Sequence, residues 1–138
     1  MLSFSTEELE RRANVWTWLA RLFVAKEFQE RDYRAIAQAL SKSDYTHDEL
    51  HELLRHEVAP VFDINLSPFN PVPEKQGWSR HFVRTKILAR LARKRIPLGD
   101  VFACRWAERK TPPVVEARWQ AVHVFMLMLN PMKGSHAI

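Results

Sequence analysis

Two histidines four residues apart raise the first chemical question. His47 and His51 stand in the string HDELH. On a helix that spacing places both imidazoles on one face, as in many zinc sites. Asp48 occupies the position where a zinc protease pattern carries Glu, and Glu52, His56 and Glu57 follow within about a turn. No third ligand stands at a familiar spacing. The sequence therefore favours a solvated, charge-rich helix start, where acids are stabilised by the helix dipole, over a metal centre, and no cofactor is expected. Cys104 is the single cysteine. As a nucleophile it would need a base such as His123 beside it; next to Phe102 and Trp106 it reads as a small buried hydrophobe. His123 itself reads as a hydrogen-bonded histidine of the core or its boundary. Glu57 and Asn65 form a further candidate polar site, but the nearer expectation is structural. Glu57 should pair with a basic side chain, and Asn65 should cap a turn.

Charge is distributed unevenly. Residues 1–65 hold 8 Lys/Arg against 12 Asp/Glu, and residues 66–138 hold 13 against 4. The surplus concentrates between positions 80 and 95, where Arg80, Arg84, Lys86, Arg90, Arg93, Lys94 and Arg95 have no acidic neighbour in sequence. Such a block needs an anionic counterpart, in the acidic first half or outside the chain. With His81, Trp78 and Phe82 adjacent it suits nucleic acid electrostatically, yet no recognition-helix pair, RNP or zinc-finger pattern accompanies it. Internal or protein pairing is the favoured expectation. A membrane surface is not, because it asks for one clean apolar face.

The elements that must position these residues are helices. Gly numbers only 3, and Ala, Leu, Arg and Glu are common, a composition that favours helix over hairpin-rich sheet. With 138 residues and 46% hydrophobic content, one packed domain is expected. Ser5 with Glu8 is a capping-box pattern, followed by a stripe at Leu9, Ala13, Trp16, Ala20 and Phe23. A second helix is predicted over 32–42, and Thr46 with Glu49 opens a third that buries Leu50, Leu53, Leu54 and Val58. Pro60 should end or kink it, with a short helical turn to follow over 61–66. The stretch 67–77, SPFNPVPEKQG, reads as an irregular Pro-rich loop inside the domain. The basic helix is predicted over 78–96 with two apolar stripes, one of Trp78, Phe82, Ala89, Ala92 and Ile96 and one of Val83, Ile87 and Leu91. Asp100 could cap a short helix to about 109. The last helix, 114–130, is apolar almost all round and reads as the central core helix, with a frayed tail over 132–138.

The lone cysteine excludes an intrachain disulfide and suits a reducing compartment. The start of the chain lacks a secretory pattern, and the longest apolar stretch, 122–129, is too short to span a bilayer. A cytoplasmic protein is expected.

From 15 to 87 the chain resembles a family of small bacterial proteins of unknown function, all helical in appearance. The residues that carry this are Val15-Trp16 with Leu19 and Leu22-Phe23, then Tyr33 and Ile36-Ala37, and then Ser43 to Thr46 with Glu49-Leu50. Glu57-Val58-Ala59-Pro60-Val61, Asn65-Leu66 and Gly77-Trp78 complete the set. The resemblance implies a bacterial, helical, cytoplasmic protein and names no activity.

The expectation is an all-α, single-domain bundle of five or six helices around the apolar last helix. Functionally it is a non-catalytic binding protein for another protein, of the adaptor or toxin-neutralising (immunity) kind. The partner would meet the basic block, together with Phe69 and Trp78. A nucleic-acid binder using 80–95 is the alternative, and a metal-dependent enzyme built on His47 and His51 the second.

Overall fold

The computed structural model describes residues 4–93 and 111–129. All regular structure among them is helical: α1 (Thr6–Ala20), α2 (Glu30–Ser41), α3 (His47–Leu53), α4 (Ala59–Phe62), α5 (Arg80–Arg93) and α6 (Pro113–Leu129). A π-helical segment, Leu54–Val58, joins α3 to α4 without a break, and 3₁₀ turns at Arg21–Phe23 and Asp63–Leu66 close α1 and α4. The short helix predicted from Asp100, with Cys104, and the tail over 132–138 lie outside the described residues.

The caps follow sequence chemistry. The Ser5 hydroxyl accepts the Glu8 N–H at 3.1 Å. Glu8 does not return the bond expected of a capping box; its carboxylate is taken by Tyr45, Arg11 and Arg12 instead. Thr46 and Glu49 form both bonds of theirs. Ser79 caps α5 by accepting the Phe82 N–H at 3.1 Å, so the basic helix starts at Arg80 and Trp78 precedes it.

Pro60 explains the π-helical segment. Proline has no N–H for the carbonyl four residues back, and its ring crowds that carbonyl. A helix turn widened by one residue just before it relieves the conflict, and the Ala59 N–H accordingly reaches the Leu54 carbonyl, five residues back. The proline therefore neither ends the helical path nor stops the burial of Leu50, Leu54 and Val58, which are fully inside.

The core collects on α1. Ala13, Trp16, Leu19 and Ala20 are fully buried, and so are Leu22 and Phe23 just beyond. This helix packs against α2, α5 and the π-helical segment. The last helix does not take the central place expected of it. α6 lies chiefly along α2, burying Val115, Trp119 and Val122, while Val124, Met128 and Leu129 stay open to solvent. An apolar sequence is thus spread over two sides of α6, only one of which faces the core. α5 also departs from its two-stripe expectation. Val83 and Ile87 are buried, whereas Phe82, Ala89 and Ala92 are exposed; in the latter stripe Trp78 packs on Phe62 of α4.

The Pro-rich stretch is an irregular loop, as predicted, but a tethered one. Asn65 is buried beneath it. Its amide donates to the carbonyls of Phe23 at 2.8 Å and Glu74 at 3.0 Å, and its Oδ1 accepts the Glu74 N–H at 2.7 Å. The Ala25 N–H adds a bond to the Glu74 carbonyl at 2.8 Å. Gly77, at φ +119°, then turns the chain into α5, a backbone conformation that suits glycine. From the other side Arg118, on α6, donates to the carbonyls of Leu22, Val24 and Lys26 at 2.7–2.9 Å and lies over the Phe28 ring. Burial draws its pKa below the ordinary arginine value. These carbonyls belong to the turn that follows α1, and one arginine ties three of them to α6.

Candidate functional site

The Asn65 tether and the Pro60 path together leave an apolar groove between α4 and the start of α5. Val61, Phe62, Ile64, Trp78 and Phe82 line it, with Lys86 at one side and Asn65 below; its volume is about 300 Å³. The Phe62 and Trp78 rings meet at 4.6 Å between centroids, tilted by 51°. The Lys86 ammonium sits 5.4 Å from the centre of the Phe82 ring, a cation–π distance. Ile64 is 62% exposed and Phe82 40%, and on the Pro-rich loop Phe69 and Val72 stand 89% and 83% exposed. Large side chains this open, concentrated on one tethered segment, are unlike the isolated apolar residues normal on a surface.

The candidates of the basic block are dispersed. Lys86 and Trp78 line the groove. Arg80 pairs with Glu10 of α1 through both its carboxylate and its backbone carbonyl, so this cation meets the acidic half of the chain, as the charge split suggests. Arg84 lies on the opposite flank of α5, half-buried, its Nε without a hydrogen-bond partner. Arg90 is half-buried and Arg93 exposed at the helix end. Lys94 and Arg95 lie outside the described residues. Phe69 is on the loop, apart from the residues that line the groove.

Glu57 sits in the π-helical segment. It accepts from Arg12 at 2.9 Å and from the Trp16 indole at 2.7 Å, which is the basic pairing expected of it. A network continues outward: Arg12 also bonds Glu8 at 3.1 Å, and Glu8 accepts the Tyr45 hydroxyl at 2.5 Å. The Tyr45 bond, with Arg11 and Arg12, holds the Glu8 carboxyl below its usual range. Burial, helped by Glu8, pushes the Tyr45 phenol up to about 12. A pocket of about 350 Å³ opens beside it, bordered by Glu49, Glu52, His56 and Glu57. Asn65 and Glu57 are not brought together: one tethers a loop, the other fastens the π-helical segment to α1.

His47 and His51 correct the expectation of a solvated face. Both are half-buried against α6. The His47 ring stacks on His123 at 3.4 Å and on Trp119 at 4.8 Å between centroids, and His51 stacks on Trp119 at 5.7 Å. The His51 Nε2 faces the Glu116 carboxylate at 3.1 Å. Burial would raise Glu116, but Thr111 and His51 together bring it below its ordinary pKa. Burial first, then His123 and His51, lowers His47 to about 4, and burial lowers His123 as well. His123 was expected to be hydrogen-bonded; its Nε2, like the His47 Nδ1, has no partner among protein groups. The two rings meet face to face rather than converging on a point, and among the described residues no three His, Cys, Asp or Glu side chains are placed to share a metal ion.

Sequence reasoning missed Val61, Phe62 and Ile64 as groove residues. Their only signal is an apolar run directly after a proline, which is equally a core signal.

Comparison with curated proteins and with solved structures finds no match. A family match does exist, and it runs past the stretch 15–87 that carried the resemblance to take in most of α6. Its model covers residues 10–125, and the chain therefore belongs to the family described as Domain of unknown function (DUF7079).

Proposed function

We propose that this chain is a non-catalytic binding protein, of the adaptor or toxin-neutralising kind, that engages another protein through the groove between α4 and α5. The observation that carries this reading is the exposure of Ile64 and Phe82 in a groove whose adjoining loop is tied down by the Asn65 hydrogen bonds. A preformed apolar groove binds without the entropy cost of ordering a loop at the moment of association. Its aromatic lining is the composition of interface hot spots. Lys86 at the side favours a partner segment that carries an apolar anchor with a carboxylate nearby. Among the described residues no helix is long and apolar enough to cross a membrane, which is consistent with a cytoplasmic setting.

The test is affinity capture from the native host after nuclease treatment, with wild-type chain and with Ile64→Ser and Phe82→Ser variants. A protein retained by the wild type and lost from both variants supports the reading. Retention that vanishes with nuclease, or that both variants keep, overturns it.

A further inference from the structure

The two apolar sides of α6 have different fates. Val115, Trp119, Val122 and Met126 form the buried side, on the helix that packs along α2. At about 100° per residue, Val114, Ala117, Ala121, Val124 and Met128 fall in one narrow stripe on the opposite side. Val124 is 54% exposed and Met128 67%, and Val114 is nearly half exposed. Large apolar side chains aligned and open in this way differ from the scattered ones normal on a protein exterior.

The spacing of the stripe sets the shape of what covers it. Positions 114, 117, 121, 124 and 128 follow at intervals of three, four, three and four. That is the seam along which one α-helix packs on another. The order of sizes sets which helix. The small residues Ala117 and Ala121 come first, and the larger Val124 and Met128 follow. Two copies of α6 laid antiparallel, with a two-fold axis level with Val122 and His123, place Ala117 opposite Met128 of the second copy and Ala121 opposite Val124. Each of the four layers then joins a small side chain to a larger one, which keeps the helices close without a void. Parallel copies would set alanine on alanine and methionine on methionine. A patch complementary to itself under a two-fold axis is what an isologous dimer requires.

Charge agrees with this. Glu116, Arg118 and His123 are the ionisable side chains of α6, and all are engaged elsewhere. Glu116 meets Thr111 and His51, Arg118 the turn that follows α1, and His123 stacks on His47. Beside the stripe, Arg34 of α2 lies over the Phe125 ring and is paired with Glu30. The stripe itself carries no charge, in a chain with 27% charged residues and a net charge of +5. Two copies can meet there without opposing like charges, and a charged partner finds nothing to pair with.

We propose that this side of α6 is the interface of a homodimer, formed by two copies of the chain packed antiparallel along 114–128. The helix is about 24 Å long, so the contact lies at the small end of specific interfaces, and the dissociation constant should be on the order of 10 μM. The stripe shares no residue with the groove between α4 and α5, and either reading can fail without the other.

Sedimentation velocity on the full chain, over concentrations that bracket this value, should show monomer passing to dimer. Val124→Glu, at an exposed position, should raise the dissociation constant at least about tenfold and leave the stability of the monomer unchanged. Ala117→Glu and Met128→Lys should each weaken the dimer. Combined in one chain they should restore it, because the antiparallel register sets these two positions opposite one another. A chain monomeric throughout overturns the proposal. Destabilisation of that monomer by Val124→Glu would then mean that another part of the chain covers the stripe, and cosedimentation with phosphatidylglycerol vesicles would mean a membrane surface. A dimer indifferent to Val124→Glu, or a double variant no tighter than its singles, overturns it as well.

Discussion

The Trp16 indole N–H donates to the Glu57 carboxylate at 2.7 Å, joining the middle of α1 to the π-helical segment. The same carboxylate accepts from Arg12, and neither side chain of that ion pair is more than a quarter exposed. One group thus satisfies a buried indole donor and balances a guanidinium, while the segment that carries it accommodates Pro60.

Glu57→Ala should therefore cost about 2–4 kcal/mol, since it strands the indole donor and leaves Arg12 with Glu8 alone. Glu57→Gln keeps an acceptor for Trp16 and should recover part of that loss. Urea denaturation of the two variants measures both, and equal midpoints for Ala and wild type would refute the network's importance.

Asn65 offers a sharper chemical contrast. Asn65→Ala removes the side-chain partner of the Phe23 carbonyl and of the Glu74 N–H and should cost about 1–3 kcal/mol. Asn65→Asp should cost at least as much at neutral pH, because it places a carboxylate oxygen against the Phe23 and Glu74 carbonyls where the amide donated. Amide exchange at Glu74 and Ala25 should quicken in both variants; unchanged exchange would show that the loop is held by something else.

Stability should fall on mild acidification. His47 has a folded-state value of about 4 against an ordinary 6.5, so the fold favours its neutral form. Between those values the unfolded chain binds the extra proton, and stability rises with pH. The contribution is complete above about pH 6.5 and is lost as pH falls toward 4. Because His47 is only half-buried, its size is about 1–2 kcal/mol, less than the full shift would give. His123, lowered in the same direction, adds to the slope, while Asp48 opposes it by favouring the charged rings. His47→Phe should keep the stack on Trp119 and flatten the dependence, as thermal melts between pH 4 and 7 would reveal.

Arg118→Met should cost about 3 kcal/mol or more. It removes three charge-assisted bonds to the turn that follows α1 and leaves those carbonyls without that donor. Arg118→Lys should recover only part of it, since one ammonium cannot reproduce the fork that spans Leu22, Val24 and Lys26. A lysine variant as stable as wild type would show that charge, not geometry, is what matters here.

The exposed apolar residues of the groove and of the Pro-rich loop respond differently from the core. Ile64→Ser and Phe69→Ser should change stability by no more than about 0.5 kcal/mol, because both side chains are largely exposed. A larger loss on urea denaturation would mean that these residues are packing elements rather than a surface held open.

Much of the fold was legible from local signals. Capping at Ser5 and Thr46, the spacing of Leu50, Leu53, Leu54 and Val58, and the irregular character of 67–77 each depend on neighbours within a few residues, and each is seen in the structure. What failed was partner choice. A stripe such as Trp78, Phe82, Ala89 and Ala92 is apolar whether or not an element lies over it, and α6 is apolar on two sides of which only one is covered. The same limit hid the groove: Val61, Phe62 and Ile64 carry no periodic signature that separates lining from core.

The sequence by itself determined a helical chain with an acidic first half, a basic helix and a Pro-rich interruption, because composition, caps and hydrophobic period act over a few residues. Only the tertiary structure decided what those pieces meet. It placed His47 on His123, Arg80 on Glu10, Glu57 on Trp16 and Arg118 on the turn that follows α1. Each of these contacts except the first two, which join helix faces by packing and exposed charge, completes a hydrogen bond that burial made obligatory, and burial is set by residues more than forty positions away.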